Sequence, residues 1–226
     1  MSDALDRVVL GDNQFFAVNH MSQERSFDQA QRFAKDEAIL KVMRQAYDRG
    51  VRGMMLHSHP RAEALCDAIR RDPTAWEGFA LYPTIPYAFK YVMAFNEKGF
   101  YPVIMDQIKK GGVGTSLGMF MTGGLGVATG DYLKLIQVLV DLELQIFRDV
   151  PVRAVFLHNV VVDLLLALEI DGVLKFYADH LAKRGIRPGF GSLNLPLLVE
   201  RLRAEGVENA AIMTSVNPGG FFMNPS

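Results

Sequence analysis

Along this chain, short unbroken apolar runs end in polar residues and are followed by amphipathic stretches stopped by glycine. Val8-Val9-Leu10 runs into Gly11-Asp12-Asn13, and Asp36 to Gly50 then carries Ile39, Val42, Met43 and Ala46 on one helical stripe. Val51 to Leu56 ends in His57-Ser58-His59-Pro60, with a second helix through Leu65 and Ile69 to Arg71. Phe79 to Tyr82 stops at Pro83. Arg153 to Leu157 ends in His158-Asn159, and a helix over about Val173 to Arg184 stops at Gly185. Pro188 to Ser192 precedes a helix from Pro196 to Ala204, and Ala210 to Val216 is broken by Asn217-Pro218-Gly219-Gly220. Apolar runs without alternation fit strands buried on both faces, and strand–helix–strand order predicts parallel βα units. The expected fold is α/β: a TIM-barrel-like parallel β/α repeat in one domain over residues 1–226.

A closed eight-stranded barrel takes ~250 residues. This chain has 226 and shows six such runs, with about seventy residues between the third and fourth, far more than a βα loop needs. Asp131 to Phe147 reads as the helix that returns to the sheet. Pro86 to Gly130 is then an insertion with two helical pieces, Tyr87 to Asn96 and Pro102 to Lys110, and a glycine-rich tail. In a barrel it would flank the C-terminal mouth as a mobile lid, with Met105, Met119, Phe120 and Met121 as an adaptable apolar surface. The expectation is an incomplete barrel whose open side is closed by self-association into a homo-oligomer, unless the chain is a piece of a longer one.

Charge narrows the choice of partners. Twenty-four Lys+Arg against 25 Asp+Glu leave a net charge of -1, with no global field for nucleic acid or anionic lipid. The single cysteine, Cys66, forbids an intrachain disulfide and a Cys-based zinc cage, so a cytoplasmic location is expected. Asp3 and Asp6 stand where a signal peptide needs a basic start, and the longest apolar stretches, Leu133 to Phe147 and Val160 to Ile170, are too short to span a bilayer. A small-molecule ligand at the barrel mouth is the expected partner besides a second copy of the chain.

Polar side chains at the C-terminal ends of barrel strands point into the mouth. Here these are Asp12, Asn13, His57, His59, His158, Ser192, Asn194 and Asn217. Each has an alternative role as a cap or turn residue, and it is their accumulation at five strand ends that suggests a site. His158, between the run Ala154 to Leu157 and Asn159, is the expected centre.

Phe156-Leu157-His158, Gly191-Ser192-Leu193-Asn194 before a Leu-rich helix, and Ser215-Val216-Asn217-Pro218 resemble the central part of the aldo-keto reductases, as do Gly50-Val51-Arg52 and Ala62-Glu63. The resemblance covers residues 153–218 best. It implies a TIM barrel with a small-molecule site, an oxidoreductase-like activity and a nicotinamide cofactor, NAD(P). Of the catalytic set, an Asp, a Tyr, a Lys and a His, only the His is matched, by His158. The Tyr position falls near His59, so a histidine would have to donate the proton. His57, His59 and His158 are thus the candidate catalytic residues, with Asp12, Asn13, Ser192, Asn194 and Asn217 binding substrate or cofactor. The cofactor's usual phosphate site has no counterpart here, and the activity of a degenerate reductase stays open.

A second reading starts from His57-Ser58-His59, an HxH pair like that of the barrel-fold metal-dependent hydrolases. With His158 and Asp12 it would offer N and O ligands for a divalent metal. A third is a non-catalytic ligand-binding subunit. Gly112-Val113-Gly114 and Gly124-Leu125-Gly126 do not follow a strand and are not a dinucleotide fingerprint. Cys66 is expected to be a buried structural thiol and His180 to lie on an exposed helix surface.

Overall fold

A computed structural model describes residues 4–19, 22–87 and 132–223. The expected insertion, with both its helical pieces, its glycine clusters and its lid role, lies almost wholly outside them. Six parallel strands are hydrogen-bonded in chain order, β1 to β6, with helices between them, a topology consistent with an incomplete β/α barrel. The chain divides into two compact units, Met1–Pro83 with Ile146–Arg153, and Thr84–Gln145 with Ala154–Ser226.

In the first unit β1 (Val9–Leu10) pairs with β2 (Gly53–His57), Val9 opposite Gly53 and Leu10 opposite Met54. Three helices belong here: α1 (Gln23–Arg32), α2 (Asp36–Asp48) and α3 (Ala62–Arg71). Ile39 and Met43, one turn apart on α2, are fully buried, and Asp36 and Glu37 sit in its first turn, where the helix dipole favours negative charge. On α3 the buried face is Leu65, Cys66 and Ile69. Strand β3 (Ala80–Ile85) starts in this unit with Leu81 and Tyr82 buried. The Tyr82 hydroxyl donates to Asp6 Oδ2 at 2.6 Å and accepts the Asp6 N–H at 2.8 Å, while Arg153 Nε lies 3.0 Å from the same carboxylate. A side chain at position 53 has no room beneath that cluster, since a Cβ would stand 2.7 Å from the Tyr82 ring and 2.8 Å from Asp6 Oδ2.

The second unit continues β3 with Thr84 and Ile85, opposite Phe156 and Leu157 of β4 (Ala154–Leu157). Strand β4 pairs with β5 (Arg187–Gly191), and β5 with β6 (Ala211–Met213). Four helices are described: α4 (Tyr132–Leu144), α5 (Asn159–Ala167), α6 (Val173–Ala182) and α7 (Leu195–Ala204). Tyr177 of α6 donates its hydroxyl to the Val155 carbonyl at 2.9 Å and packs edge-on against Phe190, fixing α6 on β4 and β5. Glu205, just past α7, accepts the Gly172 and Lys175 N–H groups at 3.1 and 2.9 Å, filling acceptor positions at the start of α6.

All six expected strands are present. Strand β3 runs through Pro83 instead of stopping there, because proline's fixed φ suits extended chain and removes only one donor. Strand β6 ends at Met213, short of Val216. Helices α1 and α5 add to the expected set. The first buries no residue and therefore carries no apolar stripe to read, although Ser22 caps it by accepting the Arg25 N–H. No helix among the described residues is long and apolar enough to cross a membrane.

Candidate functional site

The register of β1 on β2 sets the site. With Leu10 opposite Met54, Asp12 follows two residues beyond one strand end and His57 closes the other. Asp12 does not cap the 3₁₀ turn Asn13–Phe16 that it precedes; its side chain makes no bond there. Instead its carboxylate, 2% exposed, reaches across to β2. Oδ2 accepts the His57 N–H at 2.6 Å, and the His57 ring Nδ1 lies 2.9 and 3.0 Å from the two carboxylate oxygens. A carboxylate only accepts, so this contact assigns the ring proton to Nδ1 and leaves the lone pair of neutral His57 on Nε2. The His57 side chain is 18% exposed, so the ring is partly open to solvent while its anchor is not.

His59 is held in the opposite tautomer. Its Nδ1 accepts the Arg61 N–H at 3.1 Å, so the neutral ring carries its proton on Nε2. Phe16 stacks on it, centroids 4.0 Å apart and planes 10° from parallel. Arg61 is anchored by Asp36, at 2.7 Å from Nε, and by the Phe33 carbonyl, at 2.7 Å from Nη1. Burial, and then the Arg61 charge, lower the His59 pKa below its ordinary 6.5. The consequence for stability has a definite sign. The unfolded chain protonates His59 around pH 6.5, the folded one only at lower pH. Its contribution is therefore full above pH 6.5 and lost as pH falls through the lower folded value. Urea midpoints measured from pH 7 to 5 should fall more steeply in the wild type than in His59→Phe, and parallel curves would contradict the assignment.

The remaining expected site residues serve the local backbone. Asn13 is exposed and opens the 3₁₀ turn, its carbonyl accepting the Val18 N–H at 2.8 Å. His158 is the N-cap of α5, its Nδ1 accepting the Val160 N–H at 3.2 Å. Ser192 donates to Asp163 Oδ1 at 2.5 Å and accepts the Asn194 N–H at 2.9 Å, and Asp163 Oδ2 also accepts the Leu193 N–H at 3.1 Å. Asn194 caps α7 by accepting the Leu197 N–H. Asn217 closes its own turn, donating to the Phe221 carbonyl at 2.7 Å and accepting the Phe221 N–H at 2.9 Å. Asp163 went unread in the sequence; the signal was a lone carboxylate inside the apolar run Val160 to Leu168.

These assignments bear on what the chain can hold. Ser192 spends its hydroxyl on Asp163 and the Asn194 N–H, the Asn194 oxygen caps helix α7, and Asn217 closes the C-terminal turn. Among the described residues no group of three His, Cys, Asp or Glu side chains is arranged to hold a metal ion.

His180 corrects an expectation. It is 7% exposed and not on an open surface. Its Nε2 lies 2.7 Å from Asp141 Oδ1 on α4, Arg184 donates to the same oxygen at 2.8 Å, and Arg184 Nη1 lies 3.1 Å from His180 Nδ1. The partner comes from a helix 39 residues away, which the periodicity of α6 alone does not show. Cys66 behaves as expected: it is fully buried, and burial pushes its thiol up to about 12. A disulfide reagent at pH 8 should therefore react with native protein only as fast as the chain opens, and prompt stoichiometric labelling would contradict the burial.

No protein family, curated protein or solved structure matches the chain. What the fold defines is a class, a parallel β/α protein with an aspartate–histidine pair at the ends of β1 and β2.

Proposed function

We propose that the chain is a small-molecule enzyme in which the Asp12–His57 pair moves a proton. The observation that carries this reading is the buried Asp12 carboxylate engaging both the backbone and ring N–H of His57. A carboxylate bonded to Nδ1 fixes the ring, places the basic lone pair on Nε2 and stabilises the imidazolium formed when that atom takes a proton. His59, neutral and carrying its proton on Nε2, supplies the complementary donor. A carboxylate-anchored base at His57 and a neutral N–H donor two residues on at His59 suit proton abstraction next to a carbonyl. His57 Nε2 takes the C–H proton, the electron pair moves into the C–C bond, and the charge gained by the oxygen is met by the His59 N–H.

This keeps the small oxygenated substrate suggested by the aldo-keto reductase-like sequence pattern and moves the centre from His158 to His57. Hydride transfer is not part of the proposal. A buried thiol as the only cysteine is compatible with the cytoplasmic location proposed from the sequence.

The test is solvent exchange. The protein is incubated in D₂O with a panel of small aldehydes, ketones and keto acids, and loss of the proton next to the carbonyl is followed by NMR. At least one compound should exchange faster than in buffer, and Asp12→Asn and His57→Gln should lose that excess by about 10²–10⁴-fold. No enzyme-dependent exchange anywhere in the panel, or wild-type rates in both variants, would overturn the reading.

A further inference from the structure

Helix α5 buries one face and leaves the other bare. Val162 and Leu166 are in the core, whereas Val160, Leu164 and Leu168, at successive helical turns, are 55%, 55% and 60% exposed. Three half-exposed aliphatic side chains in one row are more than the scattered surface apolar residues that need no explanation. The row continues sideways. Asp163, Leu166 and Ala167 line a cleft of about 390 Å³ together with Phe222 and Met223, so the C-terminal segment lies along the same helix. Phe221, Phe222 and Met223 are 49%, 41% and 38% exposed. The only ionisable side chain on α5 is Asp163, which is already engaged by Ser192 and the Leu193 N–H.

We propose that this face binds a second copy of the chain, with two α5 helices antiparallel across a two-fold axis at Leu164. The spacing favours self-pairing, because Val160 and Leu168 lie four residues either side of Leu164. An antiparallel pair sets Leu164 on Leu164 and Val160 of one copy on Leu168 of the other, the self-complementary pattern of a two-fold interface. The ends are complementary as well. Glu169, exposed just past the C-terminus of one α5, comes to lie near the N-terminal end of the other, where the helix dipole is positive. At roughly 150–200 Å² for each fully exposed apolar side chain, the six named residues hide about 900–1,200 Å² over both copies, the low end of specific interfaces.

Cysteine crosslinking reads the axis directly, since the native Cys66 is buried and silent. Leu164→Cys under mild oxidation should give a disulfide-linked dimer in high yield. Phe27→Cys, at a position 64% exposed on α1 of the first unit, should give no disulfide-linked dimer. Light scattering of the wild type at increasing micromolar concentration should show the dimer, and Leu164→Lys should shift it to monomer while retaining the wild-type circular dichroism. A wild-type monomer at all concentrations, a dimer that persists in Leu164→Lys, or equal crosslinking at positions 164 and 27 would each overturn the proposal.

Discussion

Gly189→Ala is expected to cost about 2–3 kcal/mol of folding free energy, a large effect for one methyl group. Gly189 is buried in the middle of β5, opposite Phe156 of β4 and Ala211 of β6. A Cβ built there would stand 2.7, 2.8 and 2.9 Å from three atoms of the Phe156 ring, well inside van der Waals contact. The ring cannot simply step aside: Phe156 is 4% exposed and its neighbours on the strand, Val155 and Leu157, are buried as well. Backbone preference is not the obstacle, since Gly189 does not have a positive φ, so the cost is steric alone. That makes the prediction specific. Phe156→Leu should recover part of the loss in the Gly189→Ala background, while costing stability by itself. Chemical denaturation of the four proteins measures the coupling directly, and simple additivity would show that the ring does not lie on Gly189.

Replacing Asp12 should divide stability from chemistry. In Asp12→Ala the His57 backbone N–H and its ring Nδ1–H lose their acceptor in a place that is closed to solvent on the aspartate side. Donors left unmet at such a site cost about 1–3 kcal/mol each, so a loss of about 3 kcal/mol is expected. Asp12→Asn retains an oxygen for the backbone N–H, but its amide N–H₂ now faces the ring. That donor turns the imidazole over to the opposite tautomer, with the proton on Nε2. The stability loss should stay near about 1 kcal/mol. Any proton-transfer activity should nevertheless fall on the order of 10²–10⁴-fold. Equal losses of stability in the two variants would mean that the carboxylate is not the acceptor for both groups.

The strands were legible because burial on both faces writes itself as unbroken apolar runs, and each of the six runs is a strand. Helices with a one-sided stripe, such as α2 with Ile39 and Met43, were equally plain. What the sequence hid falls into two kinds. Helix α1 rests on capping and not on burial, so hydrophobic periodicity is silent about it. Long-range polar pairing is the other kind: nothing in the sequence near His180 points to Asp141, and nothing near Ser192 points to Asp163.

The candidate site shows the same division. Asp12 and His57 were visible as polar residues at strand ends, but their pairing depends on the β1–β2 register, which brings positions 45 residues apart within 2.6 Å. Asn194 and Asn217 ended as cap and turn residues because a short polar side chain following a strand has backbone donors within reach. The same residue types at the same kind of position can bind a ligand or close a turn, and only the third dimension separates the two.

The most direct measurement of the central claim is the tautomer of His57. The chain has five histidines, few enough to assign individually in a ¹⁵N-labelled sample. Long-range ¹H–¹⁵N correlation distinguishes a protonated ring nitrogen from a basic one. The account predicts that His57 carries its proton on Nδ1 and its lone pair on Nε2, and that Asp12→Asn reverses the two. A wild-type His57 with its proton on Nε2, unchanged by Asp12→Asn, would contradict it.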